Sequence, residues 1–284
     1  MSLEAKDLLG LSQPAQKLID AISSGLGILY EPTRIRRRAT ADADAQLILA
    51  HADLQKDELL RRAAQRLGYQ ETLRQRNIDA IVAEGFRSLP ETASDTPVDP
   101  DWLSHFFESC QDISDVEMQR LWGTLLSGEV SQPGSFSRRT VSTLQQMGPA
   151  EAEALERALQ LSWQCENIHF LLRIGPFNET YLPHNFSWFK AGHLSSFGLM
   201  NSDSTTVVHL SPDHDLIYHG RHHRVRPFYL FGSVRLPVFT FSSTAEELAQ
   251  VIALTGDDKF YPTSRRLLAR RMWLRVIRPR SQGQ

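Results

Sequence analysis

Seven of the ten histidines, His184, His193, His209, His214, His219, His222 and His223, fall within forty residues of one another. Imidazole titrates near neutrality and is a common zinc ligand. Asp213-His214-Asp215 and His219-x-x-His222 could each supply two ligands. The spacing matches no closed zinc site, however, and the two cysteines, Cys110 and Cys165, lie elsewhere in the chain. Residues 211–224 therefore read as a polar hairpin loop, and no metal is expected. Asp112, Asp115 and Glu117 bring three carboxylates together, but they flank Ser114 at a predicted helix start. Acids there complement the helix dipole and need no catalytic role. The chain has no G-x-S-x-G elbow, no glycine-rich phosphate loop ahead of Lys-Ser/Thr and no H-E-x-x-H. The expectation is a protein that is not an enzyme and carries no cofactor.

Charge is the second chemical feature. Arginine supplies 26 of the 31 positive charges, which favours forked contacts over diffuse lysine charge. Residues 79–129 hold eleven acids against Arg87 and Arg120, whereas residues 221–280 hold twelve cations against four acids. Such a split suits pairing between regions or between subunits, or a basic surface with an anionic partner. Arg34, Arg36, Arg37 and Arg38 follow an apolar helix and are candidate contacts to lipid or to a partner. Arg221, Arg224, Arg226, Arg265, Arg266, Arg270 and Arg271 are candidate contacts to nucleic acid or protein, with salt-sensitive binding as the signature.

The elements that must position these residues are mostly helical at first. Ser12 and Pro14 suit a helix start, and Ala15, Leu18, Ile19, Ile22 and Leu26 form an apolar stripe. Gly25 leaves room for a close neighbour. Ile35, Ala39, Ala43, Leu47, Ala50 and Leu54 then step at helical spacing, with Leu60, Ala64 and Leu67 continuing the face. This predicts one long helix over 33–67, broken at Gly68, and a shorter one over 71–88. Such a narrow alanine-lined seam requires a partner helix. Residues 90–101 read as a polar, proline-punctuated linker. Compact helices are expected over 101–110, 114–127, 135–147 and 149–165, with Asp101, Ser114 and Ser135 or Ser137 as caps.

Beyond 166 the composition turns mixed. Strands are expected at 168–174, 205–210, 216–218 and 228–241, helices at 187–197, 244–253 and 263–271, and a last strand at 272–277. The order helix, Gly198-Leu199-Met200, strand, turn, strand resembles the wing of a winged helix. The expected division is an amphipathic helix at 1–32, a helical arm at 33–89, a linker at 90–100, a helical domain at 101–165 and a winged-helix-like α/β domain at 166–284. The class is α+β, mainly α. No secretion signal is read at the N-terminus and no apolar run reaches the roughly 18 residues of a spanning helix.

Four motifs carry a family resemblance: D-W-L-x-x-F-F at 101–107, D-I-S-D-x-E-M-Q at 112–119, L-W-x-x-L-L-x-G-E at 121–129 and P-G-S-F-S-x-R-T at 133–140. They look like the central block of the bacterial domain of unknown function 2806 family. L-L-G-L-S-x-P-A at 8–15 and the Tyr30-x-Pro32-x-x-Ile35-Arg36-Arg37 run are also similar to it. The likeness spans most of 8–165 and is looser beyond. It implies a bacterial protein without assigned catalytic residues. Residues 18–45 are similar in style to abortive-infection alpha proteins, which implies phage defence. The resulting expectation is a non-enzymatic interaction protein, cytoplasmic or peripheral at the inner membrane. Its expected partners are copies of itself, another protein or an anionic membrane surface. The alternative is a nucleic-acid-binding regulator.

Overall fold

The structure, a computed structural model, describes residues 12–26, 58–173, 175–201, 206–210, 214–224 and 234–272. The chain divides into two compact units, residues 1–145 and 146–284. The helix expected over 149–165 thus belongs with the sheet-bearing unit rather than with the helical middle.

The first unit is helical. Helix α1 (Gln13–Leu26) buries Leu18, Ile19 and Ile22, as the stripe predicts, and the Phe107 ring lies against Gly25. Helix α2 (Glu58–Arg87) runs unbroken through Gly68, which corrects the expected break. A helical glycine costs only about 1 kcal/mol, and the Thr72 hydroxyl donates to the Gly68 carbonyl at 2.8 Å. Helix α3 (Pro100–Cys110) starts with Asp99 as its cap, accepting from the Asp101 N–H at 2.9 Å. Helix α4 (Val116–Ser131) is capped by Asp115, accepting from the Met118 N–H at 3.0 Å. Each cap lies within two residues of the one expected. A carboxylate can reach the orphan N–H groups of a first turn from either place. Helix α5 (Arg138–Gln146) follows.

The stretch read as a linker is strapped down. The Ser94 N–H donates to the Ser131 carbonyl, Gln13 donates to Asp95, and Val98 is buried. Trp102, Phe106 and Trp122 meet in the core with ring centroids 5.2 Å apart in each adjacent pair.

The family-like motifs acquire a structural reason here. Glu129 is buried, and its carboxylate accepts from the Gly134 N–H at 2.7 Å and the Phe136 N–H at 2.9 Å. The Phe136 carbonyl in turn accepts from the Trp102 indole at 2.8 Å. One buried acid thereby folds the Pro-Gly-Ser-Phe turn against the core.

The second unit opens with helix α6 (Pro149–Gln160), which stops before the strand β1 (Trp163–Cys165). β2 (Ile168–Leu172) pairs antiparallel with β1. Two short helices, α7 (Phe177–Tyr181) and α8 (Trp188–Ser196), precede β3 (Met200–Asn201), β4 (Val207–Leu210), β5 (Asp215–Tyr218), β6 (Arg221–Arg224) and β7 (Val234–Phe241). Helices α9 (Ser243–Ala249), capped by Ser242, and α10 (Phe260–Met272) close the described chain. All pairings are antiparallel, in the order β3-β7-β2-β1-β5-β6, with β4 also on β7. The wing expected between β4 and β5 is not the pairing found: β4 lies on β7, whereas β5 lies between β1 and β6. The fold is α+β and mainly α. Of the strand expected at 272–277, Met272 instead ends α10, and the rest of it and the first part of 228–241 lie outside the described residues.

Candidate interaction surface

Helix α2 repeats one face twice. Eighteen residues are five turns of helix, so Leu60, Ala63, Ala64 and Leu67 lie on the same side as Ile78, Ile81, Val82 and Gly85. In the second half that side is covered by α4. Ile78, Ile81 and Val82 are buried, and Gly123 of α4 sits so close that a Cβ there would fall 2.7 Å from the Gly85 nitrogen. In the first half Leu60 and Leu67 remain 43% and 45% exposed, while Ala64 between them is buried. Leu59, Tyr69 and Leu73 are exposed as well, but Tyr69 and Leu73 lie toward the opposite side of the helix. The spacing of Leu60, Ala64 and Leu67 is legible in the sequence, but not that Leu60 and Leu67 stay open while Ala64 is buried.

The same half of α2 is basic. Arg61, Arg62, Arg66, Arg74 and Arg76 outnumber Glu58 and Glu71. Arg62 lies 3.9 Å from Glu58, and Arg74 pairs with Asp112 at 2.8 Å and Glu71 at 3.0 Å. Arg61, Arg66 and Arg76 form no ion pair among the described residues.

Groups of catalytic type converge in the second unit, and their bonding is structural. The Asp257 carboxylate accepts from Arg157 at 2.5 Å, from His184 at 3.4 Å and from the Lys259 and Phe260 N–H groups at 2.7 and 2.9 Å. Burial alone would raise this acid. The Phe260 and Lys259 N–H groups and the Arg157 guanidinium outweigh burial and hold it at about 2. Both oxygens are thus engaged in capping α10 and tying it to α6. The Tyr218 hydroxyl donates toward the Gln160 and Asp257 carbonyls and accepts from the Asp257 N–H. Burial raises its pKa far above the ordinary phenol value. His223 packs 5.4 Å from the Trp163 ring and bonds the Tyr261 hydroxyl at 2.9 Å, while its Nδ1 and the Trp163 Nε1 are buried without a partner.

The histidines that lie close in sequence are dispersed by the fold. His169 pairs with Glu246, His184 with Asp257, His193 with Glu151 and His214 with Glu166. His219 and His223 face inward, and His222 faces out. Among the described residues no group of three or more histidine, cysteine, aspartate or glutamate side chains could hold a metal ion.

The candidate arginines are distributed as follows. Arg34, Arg36, Arg37, Arg38 and Arg226 lie outside the described residues. Arg221 lies on β6, 4.4 Å from the Tyr261 ring centroid and 2.5 Å from Asp258. Arg224 is placed in β6 and Arg271 in α10 by backbone alone. Arg265, Arg266 and Arg270 share the exposed side of α10, opposite the buried Ser264 and Leu268. The Arg266 guanidinium donates to the Pro262 carbonyl, and Arg265 and Arg270 form no ion pair among the described residues.

An α+β chain with a helical first unit and an antiparallel sheet in the second is the class that these observations define. The chain belongs to the family described as a protein of unknown function (DUF2806), matched over residues 61–264. That span reaches well beyond 165 and does not include the motifs at 8–15 and 30–37. No curated protein and no solved structure matches the chain. No helix among the described residues is long and apolar enough to cross a membrane.

Proposed function

We propose that the chain is a non-enzymatic interaction protein that assembles with copies of itself through its N-terminal helices and serves in phage resistance. The exposed apolar half-face of α2 carries this reading. It repeats the pattern that α4 buries, and burying what remains exposed of Leu60 and Leu67 is worth on the order of 1 kcal/mol each. The saturated hydrogen bonding around Asp257 and Tyr218 supports the non-catalytic part. Phage resistance rests on the N-terminal likeness to abortive-infection proteins.

Sedimentation velocity across a concentration series tests the assembly. The wild-type chain forms an oligomer that the Leu60→Glu, Leu67→Glu double variant loses while keeping its helical circular dichroism. A strict monomer at every concentration refutes the proposal. A phage-challenge assay with the same pair of proteins tests the role. Protection falls with the double variant, and equal survival with and without wild-type protein removes the defence assignment. Contact of the 34–38 arginines with anionic lipid is a separate partner reading, tested by liposome co-sedimentation.

A second reading draws on Arg265, Arg266 and Arg270. Three exposed guanidinium groups on one helix side suit a phosphate backbone. Duplex binding that weakens steeply with salt, and is lost on changing Arg265, Arg266, Arg270 and Arg271 to alanine, supports nucleic-acid regulation. Binding indifferent to those changes excludes it.

A further inference from the structure

The β5–β6 hairpin and the start of α10 are locked together. The Tyr218 hydroxyl lies 3.1 Å from the Asp257 carbonyl oxygen and 3.0 Å from its N–H nitrogen. The His219 ring packs on Gly256, where a Cβ would fall 2.7 Å from it. His223 and the Tyr261 hydroxyl are 2.9 Å apart. Two arginines distant in sequence are thereby brought to one ring. The Arg221 guanidinium lies 4.4 Å from the Tyr261 ring centroid. Arg265 stands one helical turn beyond Tyr261, which sets the two Cβ atoms about 5–6 Å apart. The charges of both arginines oppose protonation of the buried His223.

This surface continues along α10 through the exposed Arg266 and Arg270, and Lys259 is exposed at its start. Residues 257–272 hold two acids, Asp257 and Asp258. Asp257 is 12% exposed and is taken up by Arg157 and the first turn of α10. Asp258 is 80% exposed and lies 2.5 Å from the Arg221 guanidinium. The one exposed carboxylate of this surface is therefore committed to the arginine of the hairpin. Arg265 and Arg270 form no ion pair among the described residues.

We propose that Asp258 stands in for a phosphate on Arg221 and restrains a duplex-binding surface that α10 and the β5–β6 hairpin share. This rests on the nucleic-acid reading of Arg265, Arg266 and Arg270 given above, and it adds the regulation of that site. Carboxylate and phosphate oxygens meet the same guanidinium fork. An exposed ion pair contributes only about 0.2–1 kcal/mol, so a backbone phosphate exchanges with Asp258 readily. With Asp258 in place, Arg221 is masked and the acid also repels the incoming strand. Without it, Arg221 becomes one more phosphate contact.

Asp258→Asn, Arg221→Gln and the double variant test this in the full chain, titrated with duplex DNA over a salt series. Unchanged helical circular dichroism shows that each variant folds. Asp258→Asn binds about two- to fivefold tighter than wild type, and its salt slope steepens by about 0.9, the value of one phosphate contact. The double variant returns to the wild-type affinity and slope. Wild-type binding that Asp258→Asn leaves unchanged overturns the restraint and leaves the α10 reading standing. An equal gain from Asp258→Asn with Arg221→Gln in place does the same, because the acid then acts by repulsion alone. No duplex binding at low salt by either wild type or Asp258→Asn overturns both. A gain toward polyglutamate as large as toward DNA assigns the surface to an acidic protein and overturns the phosphate assignment.

Discussion

Gly123→Ala is the most demanding test of the helical unit. A Cβ at this position of α4 would lie 2.5 Å from the Glu84 Cβ, 2.7 Å from the Gly85 nitrogen and 2.8 Å from the Ile81 carbonyl oxygen. Two of those three atoms are backbone and none is the tip of a flexible side chain, so no rotamer change relieves the clash. The helices α2 and α4 must part. Overpacking of this kind costs about 1–3 kcal/mol, and contact with backbone puts it at the upper end. The helix preference of alanine over glycine returns up to about 1 kcal/mol. The expected net loss is about 2 kcal/mol. Gly85, on the facing helix, provides the control, because a Cβ there meets its first neighbour, the Gly123 oxygen, at 3.4 Å. Gly85→Ala is therefore neutral or stabilising by up to about 1 kcal/mol. Urea unfolding followed by hydrogen exchange of the α2 and α4 amides reports on this unit alone. With a slope of about 2 kcal/mol per molar, Gly123→Ala lowers the midpoint by about 1 M. Equal midpoints for the two variants would refute the argument that the helices touch through backbone.

Glu129→Gln keeps the shape of the buried side chain but turns one acceptor into a donor facing the Gly134 or Phe136 N–H. Loss of one charge-assisted bond costs about 1.5–3 kcal/mol, read as a fall in thermal midpoint, and an unchanged midpoint contradicts the role given to this acid. Burial lowers the pKa values of His219 and His223, with Arg265, His222 and Arg221 adding to the effect at His223. Because the unfolded chain takes up protons first, the second unit keeps its full stability above the ordinary value of 6.5 and loses it progressively as the pH falls below that. A denaturation midpoint that stays flat from about pH 7.5 to 5 would rule this out. Asp257, held at about 2, acts in a separate, lower window: its contribution is complete above its ordinary 3.8 and fades as the pH falls toward 2. Asp257→Asn removes that lower step and leaves the histidine step, which acid titration of the two proteins distinguishes.

Local rules in the sequence were enough for α1, α4 and the carboxylate caps, because helix periodicity and end chemistry act within a few residues. The same rules recovered most strand positions, since β-branched and aromatic runs are local signals too. They misplaced the end of α6. Trp163 and Cys165 suit a helix by composition, and only pairing with β2 and β5 makes them a strand. They also broke α2 at Gly68, where one helical glycine costs only about 1 kcal/mol and the Thr72 hydroxyl bonds its carbonyl.

What the sequence determined by itself was the class, the family-like motif and the apolar spacing of the N-terminal helices, all properties of neighbouring residues. Only the tertiary structure decided that β4 pairs with β7 instead of β5, and that His184, His193 and His214 separate to individual acids. It also decided that α4 covers the second half of α2 while Leu60 and Leu67 in the first stay exposed. Each depends on which distant segments meet. Seven histidines close in sequence are spread over the turn before α8, α8 itself, β4, β6 and the segments flanking β5, and the antiparallel sheet points successive side chains to opposite faces.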